Sequence, residues 1–289
     1  MPLDFYLNIV VSGLMTGLVY GLAALGLSVI FGVVRVVNFA HGEMMVAGMY
    51  GAVLLFGATG LDPVLSAPLV AAVLFAFGWV LQRGLVNKFV ERPEHMQFIL
   101  LLGVATVLLN LLLMVFGPDS RGVMVPYSFD SFELGPLRQD ATRTYAGLGA
   151  ILVAAALFAF FRFSRTGKAI RACADNPLGA RVVGLNLDGL YALTFGIGSA
   201  VVGIAGALLI LVVEARPQLA PEYTLLSFII VIVGGLGSLP GALLGGVLIG
   251  VSEALAGFLL MPSLKTLFGY VVLIVVLLLR PQGLLGRRS

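Results

Sequence analysis

Residues 5–34, FYLNIVVSGLMTGLVYGLAALGLSVIFGVV, contain no charged side chain and decide the class of this protein. A bilayer core about 30 Å thick is crossed by roughly 20 apolar residues in a helix. The run is continuously apolar rather than alternating with polar positions, so it reads as a helix and not as a barrel strand. An open sheet is excluded, because its edge amides and carbonyls would go unpaired in lipid. The start, Met1-Pro2-Leu3-Asp4-Phe5, carries an acid and lacks the basic n-region of a cleaved signal peptide, so this run is expected to stay as the first helix.

The rest of the chain repeats the pattern. Of its 289 residues, 60% are hydrophobic and 11% charged, with a mean hydropathy of +1.09, which leaves no room for a soluble domain of useful size. Further apolar runs lie at about residues 43–57, 64–81, 96–116, 145–161, 190–213, 223–234, 242–260 and 267–279. The expected fold is all-α: one transmembrane domain over residues 1–289, a polytopic bundle of about 8–10 membrane segments. The run at 223–234 is short and the run at 43–57 opens on a charge, so broken or half helices are expected there.

Charge sets the expected sidedness. If nine runs alternate sides with the C-terminus inside, the inner loops hold 12 of the 17 basic residues, namely Arg35, Arg83, Lys88, Arg92, Arg162, Arg165, Lys168, Arg171, Arg181, Arg280, Arg287 and Arg288. The positive-inside rule then puts the N-terminus outside. That distribution also explains the net charge of +3 without nucleic acid. Cys173 is the single cysteine and there are two histidines, so no disulfide, metal site or cofactor is expected.

Two connections are long. The outer one, about 117–144, holds Pro118, Pro126 and Pro136 with charges of both signs, and reads either as a folded cap or as a solvated spacer. The inner one, about 162–187, reads as two short helices: Gly167 to Ala174, then a segment capped by Asp175-Asn176-Pro177 that stops at Gly184. Such an elbow is either a lever for a cytoplasmic motor, with Lys168, Arg171, Asp175, Asn176 and Arg181 at its surface, or an interfacial loop whose bases meet anionic lipid.

Polar groups inside apolar runs are costly and draw notice. Asn38, His41 and Glu43 stand at the head of the second run; Glu43 is either a first-turn acid satisfied by helix amides or part of a pathway. His41 is expected to bond to Glu43 or Asn38. Glu253 is a second embedded acid, expected to pair with a hydroxyl or amide or to touch substrate. The segment Gly234-Gly235-Leu236-Gly237-Ser238-Leu239-Pro240-Gly241 lacks the Gly-Lys-Ser/Thr ending of a P-loop, so it reads as a helix break. Gly241, Gly245, Gly246 and Gly250 are expected to share one packing face. No hydrolase or metalloprotease motif is present, so an enzyme is not expected.

Taken together, Gly21 to Leu27, Val37-Asn38-Phe39-Ala40-His41-Gly42-Glu43, Arg171 to Asn176, Leu193 to Gly198 and Gly234 to Gly246 resemble the H-type permease of branched-chain amino-acid ABC importers. Urea and short-chain amide importers carry close relatives of two of these strings. The resemblance implies a bacterial inner-membrane subunit that pairs with a second, homologous permease, two cytoplasmic ATPases and a periplasmic amino-acid-binding protein. It implies a coupling role for the elbow. Asn38, His41 and Glu43 are then expected as a polar break near the path, and Gly234, Gly237, Pro240 and Gly241 as a flexing or close-packing joint. The rivals are a proton-coupled secondary transporter using Glu43 and Glu253, and a structural membrane subunit with no path.

Overall fold

The computed structural model describes residues 3–135, 137–260 and 265–286; Met1, Pro2, Pro136, Arg287 and Arg288, which entered the reading above, lie outside them. Eleven helices are present among the described residues: α1 (Leu3–Val34), α2 (His41–Thr59), α3 (Pro63–Gly84), α4 (Glu94–Phe116), α5 (Ala141–Phe163), α6 (Arg165–Asp175), α7 (Pro177–Val182), α8 (Leu187–Leu209), α9 (Ala220–Gly234), α10 (Leu239–Leu259) and α11 (Lys265–Leu279). Eight segments are long and apolar enough to cross a bilayer, and α11 is a shorter apolar helix. All nine apolar runs are therefore helical. The outer connection adds an antiparallel hairpin, β1 (Ser131–Leu134) with β2 (Leu137–Asp140), to the helices.

Helix ends follow the local sequence. Gly60 closes α2 in the left-handed region at φ 71°, its N–H reaching the Phe56 carbonyl. Two residues on, the Asp62 side chain accepts from the Val64 amide at 2.8 Å, with Pro63 filling the first helical position where no donor is needed.

The middle of the bundle is built by α1 and α8, which are apolar all round and buried nearly all round, as fits helices enclosed by others. Glycine lets their neighbours come close. A methyl group at Gly246 would lie 2.3 Å from the Cα of Gly21, and one at Gly250 would lie 2.4 Å from that of Gly17, so α10 meets α1 backbone to backbone. The glycines of α10 do not share one face, contrary to the expectation from spacing. A methyl group at Gly241 would strike the Gly234 carbonyl at 2.2 Å and one at Gly245 the Ile230 carbonyl at 2.6 Å, so that pair serves α9. The five-residue offset between the pairs turns them to different neighbours.

The connections gather at two ends. At one, Asn8 accepts from the Arg138 amide at 2.6 Å, Arg121 bridges Ala215, and the Tyr127 hydroxyl donates to Asp62 at 2.6 Å. Burial and then that carboxylate hold the Tyr127 phenol above its ordinary value. This is the hairpin end. At the other, Arg181 meets Glu91 at 3.6 Å, Asn87 donates to the Asp188 carbonyl, and the amides of Leu284 and Leu285 bond the carbonyls of Val233 and Gly234. Ten of the twelve basic residues assigned inside lie in the described part of this basic end.

Candidate functional site

α1 ends at Val34, and Arg35 follows with φ 58°, turning the chain back on itself. Residues 35–40 are non-helical and climb beside α1 before α2 starts. The height of that start is fixed by His41, whose Nε2 is 2.9 Å from the Ala23 carbonyl oxygen. Ala23 is eleven residues from the end of α1, about 16 Å at 1.5 Å per residue. That is half the thickness of a bilayer core. α2 is thus a helix whose N-terminus lies mid-bundle, and backbone of this kind is tolerated at such depth only when enclosed by protein.

α9 begins at the same level. The Gly42 amide donates to Thr224 Oγ1 at 2.8 Å, and the Thr224 hydroxyl donates to the Phe39 carbonyl at 3.4 Å. Thr224 is ten residues from the end of α9, again about 15 Å. A methyl group at Gly42 would sit 1.9 Å from the Ala220 carbonyl oxygen, so the first turns of α2 and α9 touch where only glycine fits.

The polar residues of this junction are enclosed. Asn38 and His41 are fully buried and Glu43 nearly so. Asn38 Oδ1 accepts from the Ala40 amide at 3.1 Å, and its amide group faces Met44 Sδ at 3.7 Å. His41 bonds to the backbone of α1 rather than to Glu43 or Asn38, the partners expected from sequence. A carbonyl only accepts, so Nε2 carries the proton. His41 Nδ1 and Glu43 Oε2 are buried with no hydrogen-bond partner among the described residues.

Below the junction, at the basic end, a cavity of about 1770 Å³ opens between the ends of α1, α4 and α5, α6 and the α9–α10 connection. It gathers segments far apart in sequence: Val37 and Phe39 of the re-entrant stretch, Lys168, Arg171 and Asp175 of α6, and Gly237 and Pro240 of the glycine-rich break. Asn38, His41 and Glu43 lie behind its wall, and Gly234 and Gly241 face each other within the α9–α10 contact. Gly235 and Gly237 take φ of 107° and 75°, and Ser238 caps α10 by accepting from the Gly241 amide.

The elbow has the two-helix form its sequence indicated. Ser164 caps α6 through the Gly167 amide at 2.8 Å, and Asn176 caps α7 through the Gly179 amide at 2.9 Å. Gly184 ends it at φ 84°, with the Leu185 amide reaching back to Ala180. α6 buries Ile170 and Cys173 against the bundle, whereas α7 and the residue that follows it leave Leu178, Val182 and Val183 exposed at 74%, 81% and 75%. Arg181 is engaged with Glu91.

Residues 9–277 match the family described as the permease component of branched-chain amino acid transport systems. The chain belongs to that permease family. Its relatives include the permease protein LivH of the high-affinity branched-chain amino acid transport system of Salmonella typhimurium. Identity is 31%, covering 98% of this chain and 96% of the relative. BraD of Pseudomonas aeruginosa is similar at the same identity and coverage. A probable LivH of Methanocaldococcus jannaschii is 28% identical over 92% of this chain and 88% of the relative. The solved structure of PsaBC from Streptococcus pneumoniae in complex with Fab covers 94% of this chain and 91% of that one, at 12% identity and a TM-score of 0.49. That degree of likeness carries no functional argument.

In this permease, Ala23, Phe39 and Thr224 hold the junction; Ala23 and Phe39 lie in two of the strings that carry the resemblance, but the sequence singles out none of the three as a site residue. Phe39 packs against Phe98 at 4.5 Å and Phe228 at 5.3 Å between ring centroids. An apolar residue within an apolar chain carries no signal, and Thr224 shows its role only once α9 is placed beside α2. Glu253 has no hydrogen-bond partner among the described residues, so the expected hydroxyl or amide partner is not found. No group of acids, histidines and cysteine that could hold a metal occurs among the described residues.

Proposed function

We propose that the chain is the membrane subunit of an ATP-driven importer of branched-chain amino acids, forming half of the pathway beside a second, homologous permease. Two ATPases act from the basic end, and an amino-acid-binding protein delivers substrate to the hairpin end. The basic end faces the cytoplasm of a bacterial inner membrane, in keeping with the positive-inside rule, and the N-terminus is periplasmic. The observation that carries this reading is the elbow: a doubly capped helix pair that seats Ile170 and Cys173 in the bundle and presents Leu178, Val182 and Val183 outward.

In this reading α7 is the surface an ATPase pushes, and Lys168, Arg171, Asp175, Asn176 and Arg181 belong to the coupling element. ATP-driven motion of α6 reaches the glycine-rich break through the cavity wall they share. The enclosed group of Asn38, His41 and Glu43 holds the start of α2 at mid-depth, so that α2 and α9 shift together when the pathway switches sides. Pathway binding is weak, because a conduit that held its cargo tightly could not release it.

The test is uptake of labelled leucine and urea into vesicles containing this chain, its partner permease and the binding protein, with and without the ATPases. Leucine uptake that requires the ATPases supports the reading. Urea uptake keeps the mechanism and changes the cargo to an amide. Uptake without the ATPases, lost in Glu43→Gln, would establish a proton-coupled transporter instead.

A further inference from the structure

The cavity at the basic end is larger than a small-molecule substrate needs, since pockets for such ligands run to roughly 300–1,000 Å³, against about 1770 Å³ here. Its lining is sorted by depth. Phe158 lies one helical turn deeper than Arg162 on α5 and Phe98 one turn deeper than Glu94 on α4, while Phe31 stands in the last turn of α1, just before the turn at Arg35. Residues four apart share a helix face, so α4 and α5 each present a charge at the rim and an aromatic ring below it. Phe39 adds to the apolar floor, and Phe98 is 42% exposed.

The rim is predominantly cationic. Arg35, Arg162, Lys168 and Arg171 stand against two acids, Glu94 and Asp175, with His95 beside them. Among the described residues neither Lys168 nor Arg171 has a carboxylate partner. Among the described residues Arg35 donates to the Ala174 carbonyl at 3.4 Å, and Arg162 lies over the face of Phe163. The cations thus keep their capacity for an anion, and the rings beneath them lie within the apolar depth of the bundle. A soluble anion would use the rim and leave the floor in water.

We infer that this cavity is a binding site for an anionic phospholipid, its phosphate held by Lys168 and Arg171 with Arg35 and Arg162, and an acyl chain laid over Phe98, Phe39 and Phe158. Basic pockets between transmembrane helices are suited to such headgroups. α6 supplies half of the cationic rim, so bound lipid steadies the elbow against the bundle. The inference stands on the cavity alone and does not depend on the transported cargo.

The test is native mass spectrometry of the full-length chain in detergent, titrated with phosphatidylglycerol and phosphatidylcholine of the same chain length, and with inorganic phosphate. The expected result is a preference of roughly tenfold for phosphatidylglycerol, abolished in Lys168→Gln/Arg171→Gln and kept in Arg280→Gln, which lies at the same end outside the cavity. Equal retention of the two lipids, or an unchanged preference in the double variant, would overturn the site. Displacement of phosphatidylglycerol by phosphate at matching concentration would also overturn it, by showing an anion site without an acyl seat. A second readout keeps the protein in a bilayer: Phe98→Trp in a Trp79→Phe background, quenched by brominated lipid in nanodiscs. Stronger quenching by brominated phosphatidylglycerol than by brominated phosphatidylcholine is expected, and equal quenching would refute the seat.

Discussion

His41 Nε2 lies 2.9 Å from the carbonyl oxygen of Ala23, and this one contact sets the height at which α2 begins. The ring fills a site of no solvent exposure and adds a donor to a backbone carbonyl mid-bundle. Removing it leaves a void together with a lost hydrogen bond. His41→Ala is expected to lower stability by about 2–4 kcal/mol, read as thermal unfolding in detergent. His41→Gln keeps a donor and fills more of the site, so it should cost about half as much or less. Equal unfolding temperatures for wild type and His41→Ala would show that α2 is held elsewhere.

Gly42 and Gly57 stand on the same helix and provide an internal contrast. A methyl group at Gly42 would overlap the Ala220 carbonyl at 1.9 Å and Thr224 Oγ1 at 2.6 Å, whereas one at Gly57 would meet nothing within 4 Å. Gly42→Ala must push α9 from α2, at a cost of about 1–3 kcal/mol or more. Gly57→Ala gains helix propensity and should stabilise by about 0.5–1 kcal/mol. Opposite shifts in unfolding temperature are the expected outcome. A tolerated Gly42→Ala would mean that α2 and α9 do not cross there.

How much of this was readable beforehand follows from the kind of signal each element carries. Every helix announced itself, because lipid demands long apolar runs and leaves no cheaper alternative. The elbow was legible to within two residues, since Asn176, Pro177 and Gly184 each act within a single turn. The mid-depth start of α2 was only hinted at by Asn38, His41 and Glu43, because depth depends on a contact with Ala23, eighteen residues away and chemically silent. The cavity was invisible, as its wall joins residues of α1, α4, α5, α6 and the α9–α10 connection that no spacing relates. The two faces of α10 were misread as one because identical glycine spacings do not say which neighbour each pair serves.

Cys173 offers a probe of the elbow that needs no substitution. It is fully buried on α6, and burial pushes its thiol above the ordinary value. The thiolate is the reactive form, so a raised value means less of it at a given pH. Maleimide labelling of the intact protein at neutral pH should therefore be slow, and its rise should come at higher pH than for a free thiol. Labelling should accelerate when α6 lifts from the bundle. Fast, complete modification at neutral pH in the resting protein would show that α6 is not seated as described.

The exposed side chains of α7 separate coupling from folding. Leu178 and Val182 are 74% and 81% exposed, so replacing both by Ser removes little buried area, and stability should move by no more than about 0.5 kcal/mol. If an ATPase presses on this face, the same replacement removes apolar contact at the point of force transfer. ATP-dependent leucine uptake should then fall by an order of magnitude or more while ATP hydrolysis persists uncoupled, a loss of about 1.4 kcal/mol for each factor of ten. Asn176→Ala tests the rigidity of the same lever by another route, since loss of its cap on the Gly179 amide should cost about 1 kcal/mol and loosen α7 without altering its surface. Intermediate uptake in Asn176→Ala and near-complete loss in the double Ser variant would place the push on α7 itself. Full uptake in the double Ser variant would move the coupling surface off α7, leaving the rim of α6 as the element to test next.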